Sequence, residues 1–416
     1  MTAMPRPPLK ALSEALDQLL GHAHPLQAVE CVATADADGR VLAQDVVSAL
    51  HVPPQDNSSM DGYAVCGEDV SELGLAYPVS QRIAAGTSGH ALKAGTVARI
   101  FTGAPIPAGA DAVVMQEDCT VLAQTDGAGL SLVSINAMPL PGQWIRRAGE
   151  DVALGDVVMG KGTRLGPVEL GLAASIGLAA LSVVRRPRVA LFSTGDELVM
   201  PGTVAPQDMR PGAIYNSNRF FLAALLRRLG CDVTDMGIVP DQRDATVRAL
   251  REAAARHDVI LTSGGVSVGE EDHVKPAVQA LGSLDLWQVA IKPGKPFAHG
   301  RIGSAHFLGL PGNPVSSLVT FLVLVRPFLL RLQGVTDIAM KTVAARADFD
   351  WPRADKRQEF LRVRRNPLGG LDLYPNQSSG VLTSAVWGDG LAVNPAGATI
   401  AYGDSVSFVS FAELLA

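Results

Sequence analysis

Apolar strands alternate with helices between residues 187 and 334, and this alternation restricts the fold more than any other feature of the chain. Strands are predicted at residues 188–192, 233–239, 259–262, 286–291 and 307–310. Helices are predicted at residues 216–229, 243–255 and 273–281. A longer helix begins at Asn313 and Pro314, a cap followed by proline in the first turn. The pattern predicts an open, mostly parallel sheet with crossover helices on its faces.

The rest of the chain has a different texture. Short apolar runs between Gly and Pro turns predict a small β domain at residues 51–141. Residues 8–50, which open with leucines at helical spacing, and residues 142–186 are expected to form a discontinuous helical and β linking domain. Strands return in residues 335–416, a predicted C-terminal β-barrel-like domain. The predicted fold class is therefore multidomain α/β plus β, with the α/β sheet domain at residues 187–334.

The charge balance argues against nucleic acid as a partner. The chain of 416 residues has 35 Lys and Arg against 41 Asp and Glu, a formal net charge of −6, so it has no excess of positive charge for binding phosphates of nucleic acid. The four cysteines lie far apart and predict neither a zinc site nor a disulfide framework. The start lacks a signal-peptide core, and the most apolar run, residues 318–325, is shorter than the roughly 20 residues that span a bilayer. We therefore expect a cytoplasmic protein without a membrane partner.

The chemically unusual residues of the central segment directly follow its predicted strands. Ser193, Pro240, Ser263 and Leu310 each open such a loop. In a parallel α/β sheet these loops meet at the carboxyl edge, where ligands bind. The sequence therefore predicts one pocket that collects all of them.

A glycine-rich run, SGGVSVG, begins at Ser263. Gly264 and Gly265 leave backbone N–H groups unobstructed, and glycine tolerates the positive φ angles that aim successive amides at one anion. The run is a candidate phosphate cradle, and a purely structural turn is the alternative. It is not a Walker A loop, because no Gly-Lys-Ser/Thr follows the glycines.

Acidic side chains accompany these loops at Asp196, Glu197, Asp241, Glu271 and Asp272. Carboxylates gathered beside phosphates repel one another unless a cation intervenes, and oxygen ligands without Cys or His favour Mg²⁺. We therefore expect a magnesium site. For any single acid, helix capping or a solvated loop charge is an equally good interpretation.

Two lysines, Lys292 and Lys295, lie on the short segment KPGKP, whose prolines restrain the backbone. Such a presentation of two ammonium groups suits an oxyanion, although an ordinary exposed turn has the same composition. The LPGNP segment at residues 310–314 starts a helix, and free amides at a helix start also bind anions.

Several further motifs are uninformative singly but specific as a set. In chain order they are NSSMDGYAV from Asn57, FTGAP from Phe101, RAGED from Arg147, LFSTGDEL from Leu191, IYNSN from Ile214, TSGGVSVG from Thr262, KPGKP from Lys292 and LPGNPVS from Leu310. In sequence, order and spacing this set resembles the MoeA family of molybdopterin molybdenumtransferases, which includes the gephyrin E domain. The resemblance extends over essentially the whole chain from about Leu9.

The resemblance implies a reaction and its participants. The substrates would be molybdate and adenylylated molybdopterin, the cofactor Mg²⁺, and the products AMP and molybdenum cofactor. The family also implies a homodimer, whose active site combines the molybdopterin-binding sheet domain and C-terminal domain of one subunit with the small β domain of the other. An adenylyltransferase that supplies the substrate and molybdoenzymes that take the product are further expected partners.

The resemblance also implies roles for individual residues. Catalysis is assigned to Asp61, Thr102, Asp151 and Asp272, and the metal to Glu197, Asp241 and Asp272. Substrate binding is assigned to Glu197, Ser263, Gly264, Gly265, Lys292, Lys295, Pro296, Pro311, Pro314, Arg362 and Ser379.

One position departs from the family pattern, and two other functions remain open. Some members carry lysine where this chain has Gln288, so a charge-based role is not expected there. Residues 187–334 also resemble molybdopterin adenylyltransferases, but that function would leave the Asp61 and Thr102 motifs unexplained. A non-catalytic scaffold is the third hypothesis, and the chain has no extra partner domain to favour it.

Overall fold

The computed structural model describes residues 9–240, 242–265 and 273–415. The chain divides into two compact units. The smaller unit consists of Asp45–Gly160 and Pro167–Ala180, and the larger unit of Met1–Gln44, Lys161–Gly166 and Leu181–Ala416.

Short strands dominate the chain before residue 185. The helices and strands there are α1 (Leu12–Gly21), β1 (Val29–Ala33), β2 (Val46–Val47), β3 (Asn57–Ser58), β4 (Gly62–Val65), β5 (Ala76–Ile83), β6 (Val97–Ile100), β7 (Ala112–Met115), β8 (Cys119–Thr125), β9 (Ser131–Ile135), β10 (Ile145–Arg146), β11 (Val157–Met159), α2 (Pro167–Ser175) and β12 (Ala180–Val184).

The smaller unit is built on a six-stranded sheet in the order β7-β4-β6-β5-β9-β8. One of its apolar clusters contains Ala64, Ile83, Ile100 and Val113, all buried. The Asp-Gly turn at Asp61 precedes β4 directly, so the sheet fixes the position of that carboxylate.

Strands and helices alternate in the next part of the chain. They are β13 (Arg188–Thr194), β14 (Leu198–Val199), β15 (Ile214–Tyr215), α3 (Asn218–Arg228), β16 (Asp232–Val239), α4 (Arg243–Arg256), β17 (Val259–Ser263), α5 (Val274–Leu281), β18 (Ser283–Gln288), β19 (Ile291–Lys292), β20 (Pro296–Ile302), β21 (Ala305–Leu310), α6 (Pro314–Thr320) and α7 (Arg326–Leu332).

The central sheet of the larger unit has six strands in the order β16-β13-β17-β21-β20-β18. The pairs β13–β16, β13–β17 and β17–β21 are parallel, whereas β20 runs antiparallel to both β21 and β18. Val189 and Leu191 of β13 belong to the apolar cluster that includes α3, and Ala190 and Phe192 belong to the one that includes α4 and α5. Burial on both faces explains why the strand reads as a continuous apolar run.

The sequence predictions need three corrections in this region. Helix α3 begins at Asn218 rather than at residue 216, and the strand expected at residues 286–291 is two strands, β18 and β19. Strand β20 was not predicted at all. Its central Gly300 is required by packing, because a Cβ atom there would lie 2.4 Å from the backbone oxygen of Ser283.

The most apolar helix is longer than the run of residues 318–325 suggested. Pro314–Leu332 is 19 residues long with a mean hydropathy of 1.8, and a π-helical segment, Phe321–Val325, joins α6 to α7. By length and composition this helix could cross a membrane, but 89% of it is buried inside the fold. It is therefore the core helix of the larger unit.

The C-terminal part forms a closed five-stranded barrel. Its elements are β22 (Val343–Ala347), β23 (Gln358–Arg365), β24 (Gly370–Leu373), α8 (Thr383–Trp387), β25 (Gly390–Asn394), β26 (Ser405–Ser410) and α9 (Phe411–Leu415). The strand order β23-β24-β22-β26-β25 closes through pairing of β25 with β23. The predicted multidomain α/β plus β organisation, with a barrel in the C-terminal region, is confirmed. Strand β19 pairs with β23, which ties the barrel to the chain segment that carries Lys292.

Candidate active site

The carboxyl ends of β13, β17 and β21 lie side by side. Ser193 of β13 pairs with Ser263 of β17, which in turn pairs with Leu310 of β21. The loops that follow these strands must therefore start at one level of the sheet edge. They touch directly, since the Gly264 N–H donates a hydrogen bond of 3.0 Å to the Leu310 carbonyl oxygen.

Glycine is required in the loop after β17. Gly264 and Gly265 have φ angles of +91° and +70°, in the left-handed region that favours glycine. A Cβ atom on Gly265 would also lie 2.4 Å from Cγ2 of Val274 and 3.0 Å from Oγ1 of Thr194. The loop backbone is thus held closely against the end of β13. The Gly264 N–H is occupied by the Leu310 carbonyl, and the Gly265 N–H has no hydrogen-bond partner among the described residues.

In the loop after β13, the side chain of Glu197 lies against the backbone of Gly195. Gly195 has a φ of +137°, and a Cβ atom there would lie 2.5 Å from Oε2 of Glu197. The Glu197 residue is exposed, so its carboxylate oxygens are open to solvent at the sheet edge. Glu197 is the one predicted metal ligand that the structure describes.

The remaining predicted metal ligands, Asp241 and Asp272, lie outside the described residues. Within residues 9–240, 242–265 and 273–415, no group of three His, Cys, Asp or Glu side chains is placed to hold a metal ion. The magnesium site therefore stays a prediction.

The KPGKP segment is anchored on the core helix and on the barrel. Gly294 has a φ of +115°, and a Cβ atom there would lie 2.4 Å from Oγ1 of Thr320 in α6. The Thr320 hydroxyl donates to the Gly294 carbonyl oxygen over 3.3 Å. Pro296 begins β20 and lies opposite Gln288 of β18, so the position that departs from the family pattern borders this segment.

The two lysines of this segment have different surroundings. Lys292 Nζ lies 2.8 Å from Oε1 of Glu359 and 3.3 Å from Oδ2 of Asp355. Glu359 is fully buried and also accepts hydrogen bonds from Trp351 Nε1 at 2.7 Å and Asn394 Nδ2 at 3.0 Å. The charge of Lys292 is thus compensated inside the protein. Lys295, which is partly exposed, has no ion pair with any described residue.

Arg362 is a buried cation. Only 1% of the residue is exposed, and its guanidinium donates to Ser384 Oγ, to the Phe360 carbonyl and to the Ser378 carbonyl at 3.1, 3.1 and 3.3 Å. No carboxylate pairs with it in the described part of the chain. Burial lowers the pKa of Arg362 to about 10, so the group is still protonated near neutral pH.

Ser379 lies against the start of α6. Its carbonyl oxygen accepts from the Val315 N–H at 2.9 Å, and its Oγ accepts from Asn313 Nδ2 at 3.1 Å. The hydroxyl hydrogen of Ser379 remains available to a ligand. Pro311 and Pro314 bracket the same turn between β21 and α6. The larger unit therefore joins the glycine loop, the start of α6 and the barrel residues through a continuous set of contacts.

Asp61 and Thr102 meet in the smaller unit. Oδ1 of Asp61 accepts hydrogen bonds from the Thr102 backbone N–H and from its hydroxyl, both at 2.8 Å. The backbone bond first, then the hydroxyl bond and the positive charge of Arg99, lower the pKa of Asp61. Asp151 is exposed and donates its backbone N–H to the Val52 carbonyl at 3.0 Å. No hydrogen bond joins it to Asp61 in the described residues.

Two side chains of this region escaped the sequence analysis. Glu359 pairs with a lysine 67 positions away, and no local pattern reveals such a contact. Asn218 lies in the IYNSN motif, which was noted only as part of a set, and it contacts two of the site loops.

Three family models match successive parts of the chain. The MoeA N-terminal region (domain I and II) matches residues 10–177, a probable molybdopterin binding domain matches residues 190–331, and the MoeA C-terminal region (domain IV) matches residues 344–411.

Named relatives agree with these matches. A molybdopterin molybdenumtransferase of Haemophilus influenzae is 44% identical over 299 residues, which is 72% of each chain. A protein of the same name from Nostoc sp. is 35% identical over 95% of this chain and 91% of its own. The crystal structure of the molybdopterin biosynthesis MoeA protein from Pyrococcus horikoshii superposes with a TM-score of 0.83 at 27% identity, covering 97% of this chain and all of that one.

Proposed function

This chain belongs to the MoeA family, an enzyme family of molybdenum cofactor biosynthesis, and we propose that it inserts molybdate into adenylylated molybdopterin and releases AMP. The observation that carries the proposal is the contact network in the larger unit. The network links the glycine loop to Leu310, the turn before α6 to Ser379, and the neighbouring Ser378 to the Arg362 guanidinium, which supports a phosphate site and an oxyanion site in the same unit.

Molybdate would bind near Lys295, Arg362 and Ser379. The first two are cations without a carboxylate partner in the described chain, and molybdate carries two negative charges. Ser379 adds a hydroxyl donor. Lys292 is not assigned to molybdate in this proposal, because Glu359 and Asp355 already neutralise its ammonium group.

The phosphates of the adenylylated substrate would lie on the glycine loop at the sheet edge, where the Gly265 N–H has no hydrogen-bond partner among the described residues. Gly264 and Gly265 have positive φ angles, and turns of this kind expose backbone N–H groups that bind anions. Cleavage of the pyrophosphate link develops negative charge, and fixed amides and cations stabilise it without reorganisation. No covalent nucleophile of the protein is needed.

The sulfur ligands of molybdenum would come from the substrate. Burial raises the pKa of Cys231 to about 12, and burial together with neighbouring acids raises that of Cys119 to about 11. Both thiols are therefore protonated at neutral pH and are poor ligands. A dithiolene on the substrate would supply the soft sulfur ligands of molybdenum.

Magnesium is part of the proposal through the chemistry of its donors. Glu197 offers exposed carboxylate oxygens at the sheet edge, the kind of ligand that Mg²⁺ prefers, and Asp241 and Asp272 would complete the set. When bound, the ion would neutralise phosphate charge. The Asp61–Thr102 pair and Asp151 of the smaller unit would act on the site of a second copy in a cytoplasmic homodimer.

The test is molybdate-dependent release of AMP from adenylylated molybdopterin. Lys295→Ala should abolish it, whereas Lys341→Ala should behave as wild type, because Lys341 is 71% exposed and pairs only with Asp337. AMP release that ignores molybdate, or full activity of Lys295→Ala, would overturn the proposal. Consumption of ATP to form the adenylylated substrate would identify an adenylyltransferase instead.

A further inference from the structure

Asn218, the first residue of α3, is buried beside the candidate site, with only 7% of it exposed. The helix that carries it is a crossover helix between β13 and β16, so Asn218 belongs to neither the glycine loop nor the LPGNP turn. A buried amide must satisfy its hydrogen bonds within the protein or with a ligand, and Oδ1 of Asn218 has no partner among the described residues.

The Asn218 amide donates to two different loops. Nδ2 lies 2.7 Å from Oγ of Ser263, at the end of β17, and 2.6 Å from the carbonyl oxygen of Gly312, which follows β21. Both amide hydrogens are used, so a single rigid group bridges the glycine loop and the LPGNP turn.

The bridge extends a contact that the backbone makes lower on the same edge. The Gly264 N–H bond to Leu310 joins the loops where the strands end. Beyond it the loops remain close, because a Cβ atom on Gly312 would lie only 4.0 Å from the Cα of Gly264. The Asn218 amide is the side chain that holds this outer spacing.

We infer that Asn218 is a positioning residue that sets the spacing between the glycine loop and the LPGNP turn for the phosphates of the substrate. The inference rests on the proposed function. Loss of the bridge leaves a hydroxyl and a carbonyl without their donor and lets the two loops separate, which displaces the loop backbone from the phosphates that it would bind.

The molybdate side of the site is held by other contacts. Asn313 Nδ2 holds Ser379 at 3.1 Å, and Thr320 holds the KPGKP segment through Gly294. An Asn218 variant should therefore impair the adenylylated substrate selectively. A Thr320→Val variant, which loses the contact with the KPGKP segment, should impair molybdate selectively and is the reciprocal control.

The experiment measures AMP release while each substrate is varied separately. In Asn218→Ala the loss of alignment should weaken substrate binding by about the free energy of one hydrogen bond. The KM for adenylylated molybdopterin should therefore be about tenfold higher, and the KM for molybdate should change less than about twofold. Asn218→Leu, which keeps a similar volume, adds no charge and removes the donors, should show the same selectivity if Asn218→Ala fails to fold. Thr320→Val should show the opposite selectivity.

The outcomes separate the two claims. A wild-type protein that releases no AMP in response to molybdate overturns the proposed function, and titration with AMP then decides the role of Asn218 through the affinity of the variants. Asn218 variants with wild-type KM values and wild-type affinity for AMP overturn this inference alone. Equal loss for both substrates also overturns it, because that result indicates general damage to the fold.

Discussion

Replacing Arg362 by methionine should leave the fold nearly as stable as before while removing molybdate-dependent activity. Methionine has a similar length and adapts to irregular cores, so it can fill the space of the buried side chain. The substitution removes a cation that is 1% exposed and has no carboxylate partner in the described structure.

The stability effect follows from two opposing contributions. Burial lowers the pKa of Arg362 to about 10, which corresponds to about 3 kcal/mol spent on keeping the charge inside the protein. The guanidinium bonds to Ser384, Phe360 and Ser378 return about 1.5 kcal/mol each, the lower end of the range for a charged donor. Because these contributions nearly cancel, we expect the free energy of unfolding of Arg362→Met to lie within about 2 kcal/mol of wild type.

The activity effect has no such compensation. A hydrogen bond from a charged donor to an anion contributes about 1.5–3 kcal/mol, so the KM for molybdate should rise by about 10- to 100-fold. Denaturant unfolding and molybdate-dependent AMP release measure the two effects on the same preparation. A loss of about 4 kcal/mol or more in stability, or an unchanged KM for molybdate, would refute the reasoning and make Arg362 a structural cation.

Three further predictions concern other parts of the fold. Burial lowers the pKa of His299 to about 4 and of His306 to about 3. Below pH 6.5 these two side chains are therefore protonated in the unfolded state but still neutral in the folded state, which favours unfolding. Denaturant unfolding should show stability falling by up to about 2.7 kcal/mol per pH unit from pH 6.5 toward pH 4, and replacing both with Phe should flatten that slope. Thr102→Val removes the hydroxyl bond to the Asp61 carboxylate and should raise the pKa of Asp61 in a carbon-13 titration, whereas Thr102→Ser should match wild type. An unchanged pKa of Asp61 in Thr102→Val would contradict this role of the hydroxyl. Gly294→Ala forces a Cβ atom against α6 at a φ of +115°, so calorimetry should show a lower Tm, and activity should fall with it; a wild-type Tm would show that the segment relaxes freely.

The strands of the central sheet could be predicted because their physics is local. β13 and β17 are buried on both faces, so they read as continuous apolar runs. Strand β20 contains His299 and Gly300, which break that pattern even though both are buried in the sheet. Nothing in the surrounding sequence signals that Gly300 must avoid a neighbouring backbone oxygen.

The loops of the candidate site could be predicted from the sequence, but the ion pairs of its side chains could not. The glycine loop after β17 could be predicted because its positive φ angles are a local requirement. Glycine is the residue that meets this requirement, so the sequence shows it directly. The pairing of Lys292 with Glu359 depends on how β19 joins the barrel, and sequence spacing does not encode that contact. Lys292 is compensated, whereas Lys295 has no ion pair with a described residue, and this difference emerges only from the fold.

The most direct test of the central claim is to locate molybdenum in crystals soaked with molybdate and AMP, using its anomalous scattering. We expect one molybdenum peak within hydrogen-bonding reach of Lys295 and Arg362, with the AMP phosphate at the glycine loop on the amide of Gly265. A molybdenum peak elsewhere, or a phosphate away from the glycine loop, would contradict it.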